Sequence, residues 1–259
     1  MVNLPEELKG YLDQLLTQIA FELPEYIESV YLYGSIATGS YVKDSSDIDV
    51  VFVISNHITV DQVRHVLSPF LNMKHGKQLD GMFIHKDDLG KMNHELAPYP
   101  YVHNGKVKEG YWDINAITWW MMANQSICIY GQPQPIKVSR EDVERTLLYN
   151  LDHYWAGKSK TIFSFIRDGD FAFAMATVSR IGYTFETGEI VSKRGALIWM
   201  KDRSDVQWVR LLKEAESILN NRRSGYFSKI YRAYQCKKFV KEIIHYDWRK
   251  KDDQHSNVS

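Results

Sequence analysis

The sequence predicts an α+β protein, in which an N-terminal domain with a mixed sheet flanked by helices precedes a C-terminal α-helical bundle. Short β-rich runs alternate with helical periodicity up to residue 84, and the later periodic segments are nearly all helical. A break with the sequence GQPQP, at residues 131–135, separates the two regions. We therefore expect domains at residues 1–133 and 134–250, and a disordered polar tail at 251–259.

The elements follow from periodicity and from residues that begin or end a helix. Thr59 is a predicted N-cap, and Gly188 is a predicted C-cap glycine. In the first region we expect helices at 5–22 and 59–71 and strands at 28–34, 48–54 and 78–84. In the second region we expect helices at 114–129, 139–166, 170–187, 192–201, 205–221 and 226–246.

Composition excludes several classes of protein. The 259 residues include 32 Lys and Arg and 32 Asp and Glu, so the net charge is zero and the basic excess of a nucleic-acid binder is missing. No apolar run approaches the roughly 20 residues of a membrane span, and the N-terminus has no signal-like pattern. We expect a monomeric cytoplasmic protein that binds neither nucleic acid nor a membrane.

Two carboxylates stand at the head of a strand that should be buried. Asp47 and Asp49, in the stretch SSDIDVVFVI, are two residues apart, so both side chains lie on one face of the strand. Burying like charges together is costly, and a divalent cation removes the penalty; oxygen ligands of this kind suit Mg²⁺. The alternative is that Asp47 caps a turn and Asp49 is a solvated surface residue.

Three neighbouring features favour the metal interpretation. Gly34 and Ser35 end the preceding strand, where a glycine allows a close approach of the backbone and a helix start would aim N–H groups at phosphate. Ser46 and the serine before it directly precede the aspartate pair and can donate hydroxyl groups. Asp80 is a further acid in an apolar strand, QLDGMFI. Together these features predict a metal–nucleotide site.

These residues resemble a known superfamily. Gly34, Ser35, Ala37, Gly39 and the run SDID at 46–49 fit the pattern G-S-x-A-x-G followed by S-D-I-D of polymerase-β-type nucleotidyltransferases. The later segment SRIGYTFETGEIVSKRGALIW, at residues 179–199, resembles the C-terminal domain of aminoglycoside adenylyltransferases, specifically the group that modifies streptomycin and spectinomycin.

The resemblance implies a reaction: Mg²⁺-dependent transfer of AMP from ATP to a hydroxyl of a polycationic or hydroxyl-rich small molecule, with release of pyrophosphate. MgATP would bind between the two domains. Asp47 and Asp49 would hold Mg²⁺, and Ser35 and Ser46, beside Gly34, would hold phosphates.

Asp80 falls at the position of the general base, which is a glutamate in the resembling group. The aspartate is one methylene shorter, so Asp80 either acts as the base for a nearer acceptor or leans toward the metal. The alternative without catalysis is a strand acid paired with a nearby lysine or arginine.

The resemblance also assigns two cations to the triphosphate, Arg180 and Lys193. Arg180 lies in an apolar helix, where a buried arginine needs an anionic partner. That partner is either the triphosphate or a core carboxylate.

The acceptor side is less defined. A polycationic acceptor needs acids and aromatic walls, and Asp170, ten residues before Arg180, matches an acceptor-binding aspartate of the resembling enzymes. Their Gly-Glu-Trp run has no clear counterpart in PYPYVHNGKVKEGYW at 98–112, where Tyr101, His103 and Trp112 are the candidate replacements. Streptomycin and spectinomycin are the acceptors that the resemblance implies; the missing run disfavours streptomycin and leaves spectinomycin or an unrelated hydroxyl compound as the alternatives.

Two other functions remain compatible with the sequence. One is a nucleotidyltransferase that transfers AMP to a protein or to another small hydroxyl metabolite. The other is a non-catalytic nucleotide-binding module, which the presence of all three aspartates disfavours. A polymerase or a tRNA-end transferase is disfavoured by the neutral charge.

Overall fold

The computed structural model describes residues 4–226 and 228–248, so the tail predicted at 251–259 lies outside the described residues. The chain divides into two compact units, one ending at Val143 and one beginning at Glu144. Each unit is described separately below. The domain boundary predicted after residue 133 stays a prediction.

The first unit is built on one six-stranded sheet with the order β5-β4-β3-β2-β1-β6. β2 and β3 are parallel and joined through α3, whereas every other neighbouring pair is antiparallel. The sheet is therefore mixed, as the sequence predicts. Its strands are β1 Ile27–Leu32, β2 Ile48–Ile54, β3 Leu79–His85, β4 Tyr99–His103, β5 Lys106–Gly110 and β6 Ile127–Gly131.

The helices of the first unit begin close to their predicted positions. The Thr59 hydroxyl accepts the backbone N–H of Gln62, and the Gln62 side chain accepts the N–H of Thr59, so the predicted N-cap forms a complete capping box. The described helices here are α1 Glu6–Glu22, α2 Gly34–Ala37, α3 Val60–Leu71 and α4 Ala116–Gln125, with 3-10 turns at Lys86–Asp88 and Asn93–Glu95.

The core decides which way the strand acids point. Val50, Phe52 and Ile54 of β2 belong to the buried cluster that also contains the apolar faces of α1 and α3. Because side chains alternate along a strand, Asp49 projects from the opposite face. Asp80 does the same on β3, where its neighbour Leu79 belongs to the buried cluster.

Three strands were missing from the sequence-based prediction. β4 and β5 form a hairpin whose two-residue turn, Asn104-Gly105, has φ values of +50° and +69°. Asn-Gly with both residues at positive φ is the favoured two-residue hairpin turn. The helix predicted at 114–129 is wrong beyond Gln125, because β6 pairs there with the free edge of β1.

The end of the first strand also differs from the prediction. The strand predicted at 28–34 ends at Leu32, and Gly34 already begins α2. The positive φ of +63° at Gly34 is incompatible with a continuing strand.

The second unit is helical among the residues described. The single helix predicted at 139–166 is wrong, because α5 passes into a π-helix at Asn150–Trp155 and the helical run stops at Lys158. Gly188 ends α7 at φ +74°, which confirms the predicted C-cap. The helices are α5 Arg140–Tyr149, whose first residues belong to the first unit, α6 Ala156–Lys158, α7 Asp168–Thr187, α8 Lys193–Lys201, α9 Val206–Leu219 and α10 Lys229–His245, with a 3-10 turn at Phe163–Phe165.

Within the described ranges, neither unit has a helix with the length and apolar character required to span a membrane.

A fully buried arginine joins three segments of the second unit. The Arg232 guanidinium donates to an Asp168 carboxylate oxygen at 2.8 Å, to the Ile166 carbonyl at 2.9 Å and to the Ser224 hydroxyl at 3.0 Å. The buried carboxylate of Glu214 lies 3.7 Å away. The arginine therefore links α10 with the start of α7, with Glu214 of α9 and with the loop that follows α9.

We predict that Arg232→Leu lowers the free energy of unfolding by about 3–5 kcal/mol, because it leaves the buried Glu214 without its cation. Urea denaturation followed by circular dichroism measures this. Lys229→Ala is the matched control: Lys229 also contacts Asp168, but half of its side chain is exposed, so its loss costs about 1 kcal/mol or less. Equal losses in the two variants would contradict a dominant role for the buried contact.

Candidate active site

The connectivity of β1, β2 and β3 gathers the predicted site residues at one edge of the sheet. β1 is antiparallel to β2, so the end of β1 lies beside the beginning of β2. β2 and β3 are parallel, so they begin at the same edge. The backbone N–H of Tyr33, directly after β1, donates to the Asp49 carbonyl at 3.1 Å. The glycine-serine turn and the strand acids are therefore neighbours.

The Asp49 carboxylate packs directly against Gly34, in the space that a side chain at position 34 would occupy. A Cβ atom built on Gly34 would lie 1.9 Å from Asp49 Oδ2 and 2.8 Å from its carboxyl carbon. Gly34 also has a φ of +63°, which disfavours any other residue. Space and backbone conformation thus both require glycine at this position.

Asp80 is the register partner of Asp49 across the parallel pair. Asp47 directly precedes β2 and lies two residues before Asp49, and its charge raises the pKa of Asp80. The structure therefore brings the three predicted acids together at one edge of the sheet. Asp49 and Asp80 lie on the adjacent strands β2 and β3, and Asp47 directly precedes β2.

Asp80 is largely buried and receives two hydrogen bonds. Trp112 Nε1 donates to Oδ1 at 2.5 Å, and His103 Nδ1 lies 3.1 Å from Oδ2. Burial raises the pKa of Asp80 above its ordinary value; the two N–H contacts oppose this shift, and the charge of Asp47 adds to it. Neither contact of Asp80 is with a lysine or an arginine.

The hairpin and the loop after it carry three rings near Asp80: His103 and Trp112 contact the carboxylate, and Tyr101 packs on Trp112. The Tyr101 and Trp112 rings are stacked, with centroids 5.5 Å apart and planes at 7°. The His103 ring packs against Trp112 at 4.1 Å. The candidates Tyr101, His103 and Trp112 therefore form one group around the acid.

A further aspartate, Asp113, lies beside these acids, although the sequence favours a solvated surface charge at this position. The buried Tyr33 hydroxyl donates to Asp113 Oδ2 at 2.9 Å, and Asp113 has an unusual φ of +48°. Burial raises the pKa of Tyr33 well above its ordinary value, and the charges of Asp113, Asp49 and Asp80 add to the shift. The contact joins residues 80 positions apart in the sequence, so only the structure reveals that Asp113 accepts the Tyr33 hydroxyl.

Comparison with known proteins agrees with this geometry. Residues 12–108, which include β1 to β3 and the turn at Gly34, match the family described as "Nucleotidyltransferase domain". The chain carries a nucleotidyltransferase domain. The resemblance noted in the sequence is thereby confirmed, and the chain is an enzyme of the nucleotidyltransferase class.

The alignments with related proteins cover parts of both units of this nucleotidyltransferase. An aminoglycoside (3'') (9) adenylyltransferase of Shigella flexneri is 22% identical over 93% of each chain. A spectinomycin 9-adenylyltransferase of Staphylococcus aureus is 26% identical over 77% of this chain and 78% of the relative.

A solved structure shows the same fold. It is a spectinomycin adenyltransferase from Enterococcus faecialis, crystallised with ATP and spectinomycin, with a TM-score of 0.63 and 15% identity. The likeness covers 91% of this chain and 98% of that one. The predicted α+β architecture is confirmed.

The serines of the nucleotidyltransferase domain differ in their surroundings. The Ser35 hydroxyl is buried and has no hydrogen-bond partner among the described residues. The Ser46 hydroxyl oxygen accepts the Val42 N–H at 2.9 Å and keeps its own proton to donate. The predicted phosphate contacts of Ser35 and Ser46 stay predictions.

The donor set fits magnesium held together with a nucleotide. Across residues 4–226 and 228–248, no three or more His, Cys, Asp or Glu side chains are grouped so as to hold a metal ion. Mg²⁺ at nucleotide sites is usually bound through one or two carboxylates plus phosphate oxygens and water, so a protein cage is not required. Asp47 and Asp49 supply that number of carboxylates.

The remaining candidates belong to the second unit. Arg180 lies half-buried on α7, and Asp170 is exposed in the first turn of the same helix. Lys193 is the exposed first residue of α8, whose N-cap is Ser192. α7 and α8 pack against each other. The functional roles of these three residues stay predictions.

We predict that Gly34→Ala strongly weakens MgATP binding, because the new methyl group displaces the Asp49 carboxylate. Gly39→Ala is the matched control: its φ of +67° is nearly the same, yet a Cβ at Gly39 meets no atom within 4 Å. Both variants should lose about 1–2 kcal/mol from left-handed strain. Calorimetric titration with MgATP, beside thermal unfolding, separates the two effects. Equal ATP affinity in both variants would show that the contact with Asp49 is unimportant.

Proposed function

We propose that the chain is a magnesium-dependent adenylyltransferase that transfers AMP from ATP to a hydroxyl of an aminoglycoside-type antibiotic, streptomycin or spectinomycin, and releases pyrophosphate. The observation that carries this proposal is the Asp49 carboxylate resting on Gly34, with Asp80 beside it in register. The names of the relatives, and the ATP and spectinomycin in the similar structure, support the choice of substrates.

In this proposal Asp47 and Asp49 hold Mg²⁺, which, when bound, neutralises negative charge on the phosphates. Ser35 and Ser46 donate hydroxyl groups to phosphate oxygens. The buried, unsatisfied hydroxyl of Ser35 supports this assignment, because a phosphate would supply the partner that it lacks.

Asp80 is the proposed general base. Its carboxylate takes the proton of the acceptor hydroxyl as that oxygen forms a bond to the α-phosphorus of ATP, and the bond from this phosphorus to pyrophosphate breaks. A raised pKa makes the carboxylate a better proton acceptor than an ordinary aspartate. Each oxygen of Asp80 has a second lone pair beyond the one used by Trp112 or His103.

The second unit supplies the proposed cations and an acceptor ligand. Arg180 and Lys193 are assigned to the triphosphate. Asp170 is assigned to a positively charged group of the acceptor, and its exposure on the first turn of α7 leaves the carboxylate accessible.

The first prediction of this proposal concerns the overall reaction. Purified protein with MgATP should release pyrophosphate in the presence of spectinomycin or streptomycin. Asp47→Asn and Asp49→Asn should each lower the rate by about 10³-fold or more while the fold persists, because each removes charge that stabilises the transition state. Coupled pyrophosphate detection measures this. Labelled ATP that marks a lysate protein, with no release on a panel of aminoglycosides, would favour transfer to a protein instead.

The second prediction separates the two roles open to Asp80. Asp80→Ala should lower kcat by about 10²–10⁴-fold, the usual contribution of a general base, and leave MgATP affinity largely unchanged. Steady-state kinetics and calorimetric titration decide the matter. If MgATP affinity collapses together with turnover, Asp80 is a metal ligand rather than the base.

A further inference from the structure

Each carboxylate oxygen of Asp80 is contacted by one donor, and both donors come later in the sequence than Asp80. Trp112 Nε1 donates to Oδ1 at 2.5 Å, and His103 Nδ1 lies 3.1 Å from Oδ2. The two donors come from β4 and from the loop that follows β5. Neither donor belongs to the motif that carries Asp47 and Asp49.

His103 is held in an orientation that suits donation. Its other ring nitrogen, Nε2, lies 2.7 Å from the side-chain amide nitrogen of Asn104. An amide N–H there requires Nε2 to accept, so the neutral imidazole carries its proton on Nδ1 and donates it to Asp80. Asn104 is itself fixed by the hairpin turn, with φ +50°.

Trp112 is fixed through both its backbone and its ring. The Tyr99 hydroxyl accepts the Trp112 N–H at 2.7 Å and donates to the Trp112 carbonyl at 2.6 Å. The indole stacks on Tyr101 and contacts His103. The position of the Nε1–H group is therefore set by residues other than Asp80.

We propose that His103 and Trp112 are positioning residues that fix the carboxylate plane of Asp80 for proton abstraction; this inference rests on the proposed function. The terminal torsion of an aspartate is broad, and one hydrogen bond on each oxygen defines the plane. Their rings can still border the acceptor, as the sequence predicts, but their N–H groups are used by Asp80.

The effect expected of such positioning is large. A misplacement of about 1 Å at a reacting group costs about 10²-fold in rate. Loss of one donor lets the carboxylate rotate but leaves MgATP and the acceptor bound. The signature is therefore a fall in kcat with KM values that change little.

Three variants and a matched control test this. Trp112→Phe keeps an aromatic ring and removes the donor, and His103→Leu removes the imidazole; each should lower kcat by about 10–100-fold with KM values for ATP and acceptor within about threefold. His103→Asn restores a donor near the Nδ1 position and should recover most of the loss. Tyr111→Phe is the control. It removes the hydrogen bond from the Tyr111 hydroxyl, next to Trp112 in the loop, to the Leu96 carbonyl and does not alter a contact of Asp80, so it should retain wild-type kcat.

A double-mutant cycle shows whether Trp112 acts through Asp80. Trp112→Phe should cause no further loss in an Asp80→Ala background, since the carboxylate that it positions is gone. An undiminished loss in that background, or a rise in acceptor KM without a fall in kcat, would overturn the proposal and make Trp112 an acceptor-binding wall.

A spectroscopic measurement is independent of any acceptor. The Trp112 indole N–H resonance, assigned by its absence in Trp112→Phe, should shift upfield in Asp80→Ala and stay in place in Tyr111→Phe. An unmoved resonance would overturn the inference even in an active enzyme. Absence of wild-type turnover on every aminoglycoside tested would instead overturn the proposed function, and the indole resonance would still decide whether Trp112 binds Asp80.

Discussion

The contact between the Asp49 carboxylate and the bare Cα of Gly34 is the constraint on which the site depends. Because Asp49 Oδ2 occupies the space of a missing Cβ, the turn after β1 and the start of β2 are fixed against each other. The parallel register then fixes Asp80 beside Asp49. A slip of one residue would turn both acids toward the apolar core, so the buried faces of β2 and β3 also hold the acids outward.

Four aspartates, at positions 47, 49, 80 and 113, lie at this edge of the sheet, and neighbouring residues donate hydrogen bonds to two of them. Tyr33 donates to Asp113, and Trp112 and His103 donate to Asp80, so uncharged N–H and O–H groups contact two of the four aspartates. Neutral donors satisfy a carboxylate without cancelling its charge. A divalent cation bound at the proposed magnesium site would offset the repulsion between these neighbouring carboxylates.

Much of the first unit could be predicted from the sequence, because its signals are local. The capping box at Thr59, the strand at Ile48–Ile54 and the glycine-serine turn depend on residues close together in the chain. The sequence predicts helix through the start of β6 because only three polar residues, Asn124 to Ser126, separate its apolar run from that of α4, and only the open edge of β1 reveals the pairing. The Asn104-Gly105 pair was a usable hairpin signal. The contact of Tyr33 with Asp113 was not predictable, since it joins positions far apart in sequence.

The length of the side chain at position 80 is matched to the donors that the neighbouring hairpin and the loop after it supply. The backbone of Asp80 is held by its pairing with β2, so the length of the side chain decides how far the carboxylate stands from the sheet. A glutamate, which the resemblance implies at this position, adds one methylene and one torsion, so its carboxylate would not keep the present contacts with the Trp112 and His103 nitrogens without rearrangement. The shorter acid stays within their reach, but the acceptor hydroxyl must then approach closer to the sheet. Under the proposed function, the hairpin that contacts the proposed base would therefore also limit the shape of the acceptor, and a preference among aminoglycosides would depend on β4, β5 and the loop after them.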